Sequence, residues 1–136
     1  MGSPSGYSPV VARPAVLAAD AAGFRARVVI DPSEPVLAGH YPGAPVFPGL
    51  CLVEHVRLAA LAAAPPVPGG WRLAVLESCR FLSPVMPGDT LTIDAQWAPD
   101  GQDRRCSASL ASERGAAARV TLRFTPAGAG EDGGAS

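Results

Sequence analysis

Between residues 24 and 30 apolar and arginine positions alternate, with Phe24, Ala26, Val28 and Ile30 on one side of a period-two pattern and Arg25 and Arg27 on the other. This is the pattern of a strand with one covered face, and Asp31-Pro32-Ser33 ends it. Residues 90–97 repeat it, setting Leu91, Ile93, Ala95 and Trp97 against Thr92, Asp94 and Gln96. Residues 71–81 read as a further strand. Two more follow across short turns: residues 104–112 after Pro99-Asp100-Gly101, and residues 117–124 after Glu113-Arg114-Gly115, with Val120, Leu122 and Phe124 on one face. Residues 49–64 are different. They carry no helix breaker after the opening glycine and stop at Pro65-Pro66, which predicts one helix on the order of 24 Å long. Leu50, Leu52, Val53, Val56, Leu58 and Leu61 fall on every side of it with alanines between, so it has no polar face to offer to water. A helix enclosed by protein, followed by an antiparallel meander, predicts an α+β domain whose sheet curls round the helix.

Composition narrows this picture. With 136 residues, 48% of them apolar, the chain is long enough for one core. The folded unit is expected over residues 9–126, between a flexible N-terminus (1–8) and a flexible Gly-rich tail (127–136). Eleven basic residues, all arginine, against 12 acidic ones give a net charge of −1, with no basic run to follow a phosphate backbone, so nucleic acid is not an expected partner. Cys51, Cys79 and Cys106 form neither a CxxC pair nor a zinc spacing, and their odd number argues against a secreted disulfide framework. No apolar stretch approaches the roughly 20 residues of a membrane span, and no leader pattern opens the chain. A soluble, cytoplasmic protein is the expectation.

The candidate chemistry lies where the Pro/Gly-rich turn meets the helix. Gly49 and Leu50 open that helix, so their amides lack intrahelical partners and point outward with the positive end of the helix dipole. They could hold an oxygen on which negative charge develops. His40, in the turn, can serve as a base near neutrality. Glu54, one turn into an apolar helix, is expected to be stripped of water, which favours its neutral form and lets it donate a proton. Base, acid and anion seat together describe the elimination of water and its reverse. Plainer readings stand beside this one: Glu54 could pair with Arg57 three positions on, His55 packs into a wall, and Cys51 is a small buried hydrophobe before it is a nucleophile. His40, Glu54 and His55 match no zinc spacing, so no metal is expected.

The run His40-Tyr41-Pro42-Gly43, with Pro45, Pro48-Gly49 and Glu54, closely resembles the motif of the 3-hydroxyacyl-acyl carrier protein dehydratases of type II fatty-acid synthesis. Glu34-Pro35 and the stretch from Phe81 through Pro87-Gly88-Asp89 extend the resemblance over about residues 24–124. The resemblance implies a hotdog fold and dehydration of 3-hydroxyacyl thioesters to trans-2-enoyl thioesters, in fatty-acid or polyketide-type biosynthesis. It implies catalysis by His40 of one subunit and Glu54 of another. Val46 would hold the histidine ring through its backbone carbonyl, and the Gly49 amide would donate to the substrate carbonyl. The implied partners are an acyl carrier protein bearing a phosphopantetheine-linked chain and a second subunit, in a homodimer, higher homo-oligomer or heterodimer; no cofactor is implied. The chain departs from the family pattern in its short, alanine-rich residues 9–23, in His55 where a small residue is usual, and in Leu58 where a glutamine is usual. Two alternatives are carried forward: a hotdog acyl-thioesterase using Glu54 to activate water, and an acyl-binding subunit of a heterodimeric dehydratase.

Overall fold

The computed structural model describes residues 13–30 and 49–128. In chain order the elements are β1 (Ala15–Ala19), β2 (Gly23–Val29), α1 (Gly49–Ala63), β3 (Trp71–Phe81), β4 (Thr90–Asp100), β5 (Asp103–Ser112) and β6 (Gly115–Pro126). The strands form one antiparallel sheet in the order β1-β2-β4-β5-β6-β3. The expected α+β plan is what the chain adopts, with α1 packed against β1, β2, β3 and β6.

Enclosure follows from the composition of α1. Cys51, Leu52, Val53, His55, Val56, Ala59 and Ala60 are all buried, and among its last thirteen residues only Ala62 is exposed. The sheet supplies the other half of the core from alternate positions: Phe24, Ala26 and Val28 on β2, Leu91, Ile93 and Ala95 on β4, Cys106, Ala108 and Leu110 on β5, and Val120, Leu122 and Phe124 on β6. Trp97 lies between Phe24 and Phe124, at ring-centroid distances of 5.6 and 6.1 Å. Each large apolar side chain buried in this way contributes on the order of 1.5–3 kcal/mol.

Three features differ from the sequence expectation. First, the alanine-rich segment before Phe24 contains β1, all five residues of which are exposed. With neither face buried it carries no alternation; it is held by backbone pairing to β2 and by the turn in which the Asp20 carboxylate accepts from the amides of Ala22 (2.8 Å) and Gly23 (3.0 Å). Second, β4 runs through Pro99 to Asp100, so the turn falls at Gly101, where φ is 64°. β2 pairs with β4 only as far as Gln96, so Pro99 lies where one side of the strand is unpaired and the missing N–H costs no ladder bond. Third, β3 does not neighbour β4. It crosses over to the far side of β6 and becomes an edge strand. Beyond β6, Ala127 donates to the Gly70 carbonyl at 2.7 Å.

The Pro87-Gly88-Asp89 turn is fastened from two directions. The buried Asp89 carboxylate accepts from the Met86 amide at 2.9 Å and from Arg114 at 3.2 Å through each oxygen. The Arg114 hydrogen bonds hold Asp89 below the usual carboxylate range; burial opposes them and the Met86 amide adds to them. A carboxyl whose folded pKa is lowered stabilises the fold above its unfolded value, near 4, and loses that contribution as pH falls through the folded value. Asp89→Ala is therefore expected to lower the melting temperature at pH 7 by roughly 5 °C. The difference from the parent should shrink in melts taken below about pH 4.

Candidate functional site

The residues singled out in the sequence are carried by two segments, and the structure describes one of them. His40 and Val46 lie outside the described residues. Gly49 and Glu54 are both on α1, five residues apart, hence about 7.5 Å along the helix axis. The first turn of α1 contains no acidic side chain, so no carboxylate of its own occupies the positive end of the dipole.

β3 covers this end of the helix. A Cβ placed on Gly49 would lie 2.6–2.9 Å from three ring atoms of Phe81, so the ring rests directly on the glycine and only a residue without a side chain allows that approach. Sequence reasoning missed this contact, because Phe81 and Gly49 are 32 residues apart and the strand pattern of residues 71–81 is irregular. The irregularity has a cause. Register shifts between Leu73 and Val75 and between Leu76 and Ser78 insert extra residues, Ala74 and Glu77. Leu73, Leu76, Cys79 and Phe81 stand opposite Phe124, Leu122, Val120 and Ala118, all of them core residues. Partners directly opposed share a face, so the inner row of β3 follows spacings of three, three and two. Leu76 (45%) and Phe81 (52%) remain half exposed on that inner row.

Glu54 is sequestered, with 12% of its side chain exposed, and the pairing with Arg57 that the sequence admitted as the plainer reading is present. The Arg57 guanidinium donates to both of its oxygens, at 2.8 and 2.7 Å. One guanidinium donating to both oxygens makes a bidentate pair, the stronger kind of side-chain contact. The Glu54 hydrogen bonds hold Arg57 above its ordinary range, burial opposing them and the charge of Glu54 adding to them. His55 is fully buried on the next position of the helix, in keeping with the packing role read from sequence. Cys51 is buried as well, and burial pushes the thiol of Cys106 up to about 12. Among the described residues no group of three or more His, Cys, Asp or Glu side chains is arranged to hold a metal ion, and no helix is long and apolar enough to cross a membrane.

Residues 18–120 match the family described as ApeI-like, the ApeI dehydratase. The 3-hydroxyacyl-acyl-carrier-protein dehydratase FabZ of Thermus thermophilus is 40% identical over 86 residues, covering 60% of this chain and 61% of that protein. FabZ of Symbiobacterium thermophilum is 38% identical over 71 residues, covering 49% and 50%. The chain thus spans between about half and three-fifths of the length of these curated relatives. Among solved structures, the dehydratase heterocomplex ApeI:P from Xenorhabdus doucetiae aligns with a TM-score of 0.66 at 21% identity, over 83% of this chain and 98% of that one. A fluoroacetyl-CoA thioesterase, FlK, aligns at 0.65 and 18% identity, over 76% and 83%. These likenesses establish the hotdog fold that the sequence resemblance implied.

The Gly49–Phe81 contact gives a direct check. The ring is half exposed and can swing aside, and alanine suits a helix better than glycine by up to about 1 kcal/mol. Gly49→Ala should accordingly shift the melting temperature by less than about 5 °C. The Phe81 ring resonances should move in an NMR spectrum; unchanged resonances would mean the ring does not rest on the helix start.

Proposed function

The chain belongs to the ApeI-like dehydratase family, and from that premise we propose that it removes water from 3-hydroxyacyl chains carried as thioesters on an acyl carrier protein, in the cytoplasm. The observation that carries the reading is a shielded carboxyl, Glu54, placed on the same helix as an N-terminus, at Gly49 and Leu50, whose first turn holds no acidic residue. The thioester carbonyl accepts from those amides. His40 takes the proton from the carbon next to the carbonyl, the pair left behind forms the carbon–carbon double bond, and the hydroxyl on the following carbon leaves with a proton from Glu54 as water. His40 ends protonated and Glu54 ionised, and return of one proton between them through solvent resets the site. Val46, through its carbonyl, keeps the imidazole oriented.

A second chain completes the site in this reading, and β3 is the edge that suits it. β1, the other edge, is short, bulged and exposed on every residue. β3 is 11 residues long, pairs on one side only among the described residues, and presents half-exposed Leu76 and Phe81 beside the helix start. A long apolar edge invites a further strand. A relative in a heterocomplex supports a different chain as one possible partner, and light scattering on the purified chain decides between a homodimer and a need for a second protein. Homodimerisation predicts twice the chain mass for the parent, falling to one chain mass in Leu76→Lys.

One observation favours the thioesterase alternative: the bidentate Arg57 pair, because an adjacent cation favours the ionised carboxylate, the form that would activate water rather than donate a proton. For dehydration, Arg57 has to release one oxygen of Glu54 when the site is assembled. The test is incubation with 3-hydroxyacyl carrier proteins of several chain lengths, following the mass of the attached chain. Loss of water is expected in the parent and should fall by about 10²–10⁴-fold in His40→Ala and in Glu54→Gln. Release of free acid, abolished in Glu54→Gln and retained in His40→Ala, would transfer the protein to the hydrolases.

A further inference from the structure

The outer face of the sheet, turned away from α1, is ordered in rows by the strand register. One row runs Arg25, Asp94, Ser109, Arg119, Arg80 across β2, β4, β5, β6 and β3. The next runs Gln96, Ser107, Thr121, Ser78, and the one beyond it Ala98, Arg105, Arg123, Val75. Arginine is thus set directly opposite arginine twice, as Arg105 against Arg123 and as Arg80 against Arg119. Like charges so placed repel.

The chain answers the first opposition internally. Glu77, displaced by its bulge, accepts from Arg105 at 2.6 Å and from Arg123 at 2.9 Å, and Asp100 lies 3.3 and 3.5 Å from the same two arginines. The second opposition has no such answer. Asp94, the acid in that row, is engaged by Arg25 at 2.7 Å, and among the described residues neither Arg80 nor Arg119 takes part in an ion pair. Beside them the sheet is hollowed into a groove of about 500 Å³ lined by Asp94, Gln96, Ser107, Ser109, Arg119 and Thr121. Phe24, Ala95, Ala108 and Val120 complete its lining, and with Asp94 paired to Arg25 the charge left without an ion-pair partner there is that of Arg119.

We propose that this groove, with Arg80 and Arg119 at one end, receives carboxylates presented by an acidic partner protein; on the dehydratase reading above, that partner is the acyl carrier protein. Both arginines are exposed, and a single small anion held there would be strongly screened. A protein surface that fills the groove, bonds to its hydroxyls and places several carboxylates together suits the size and polarity of the hollow and steers the encounter. The position is also continuous with the site. Arg80 immediately precedes Phe81, whose side chain points to the opposite face of β3 and rests on Gly49, so a carrier seated on the outer face stands at the strand that covers the helix start.

The experiment measures binding of holo acyl carrier protein to the full chain by titration calorimetry. Alongside it, turnover is compared on two substrates, the carrier-bound 3-hydroxyacyl thioester and the same acyl group on pantetheine alone. In the double variant Arg80→Gln/Arg119→Gln, carrier affinity is expected to fall at least tenfold, and the difference from the parent should narrow as salt is raised. KM for the carrier-bound substrate should rise in step, while turnover of the pantetheine thioester stays within twofold. Arg27→Gln, an outer-face arginine of β2 away from the groove, should bind within twofold of the parent. Undiminished binding by the double variant, an equal loss in Arg27→Gln, or no carrier binding by the parent overturns the docking surface. A parent that binds the carrier through these arginines but dehydrates neither substrate overturns the catalytic reading instead.

Discussion

A helix with leucine, valine and alanine on nearly every side has little to offer to water, and much of the molecule is arranged to cover it. The inner faces of β2, β4, β5 and β6 wrap α1 with alternate Phe, Leu, Ile, Val and Ala side chains, and the contribution of each such burial is large beside the net stability of a domain this size. The same enclosure sets the terms for chemistry. Because α1 is surrounded, a carboxylate on it must either lose its charge or find a cation, and Glu54 has found Arg57. The helix also begins at a glycine under a phenylalanine ring, so its start admits no side chain without moving that ring.

β3 couples the two faces of the sheet. A regular strand of its length would place alternate residues on the core, yet two bulges re-aim it so that Leu73, Leu76, Cys79 and Phe81 face the helix while Glu77 reaches two arginines on the outer side. One strand therefore contributes the ring over the helix start, an exposed apolar edge and half of the arginine pattern on the outer face. Changes in it are expected to be felt at more than one function.

The Glu54–Arg57 pair is the point at which chemistry depends on local electrostatics more than on fold. The hotdog scaffold is shared with thioesterases and dehydratases, so the scaffold does not choose between donating a proton and activating water. On the function proposed above, the choice rests on the form of one carboxyl. An arginine one turn along the helix favours the ionised form through two short hydrogen bonds, and the apolar surroundings favour the neutral one.

The sequence by itself determined the enclosed helix, the clean alternation of β2 and β4, the hairpins joining β4, β5 and β6, and Glu54 as a shielded carboxyl. All of these follow from side-chain periodicity and turn residues within a short window. It also admitted the Arg57 pair as an alternative, because positions three apart on a helix are neighbours whatever surrounds them. What only the tertiary structure decided is non-local. β1 has no buried face and so no pattern; β3 crosses to β6 because connections longer than a hairpin leave no mark of their destination; and its bulges break the very alternation by which a strand is read. The contact of Phe81 with Gly49, and the row that sets Arg80 against Arg119, exist only because register brings together residues more than thirty positions apart. A one-residue slip in that register would turn each of these side chains to the other face.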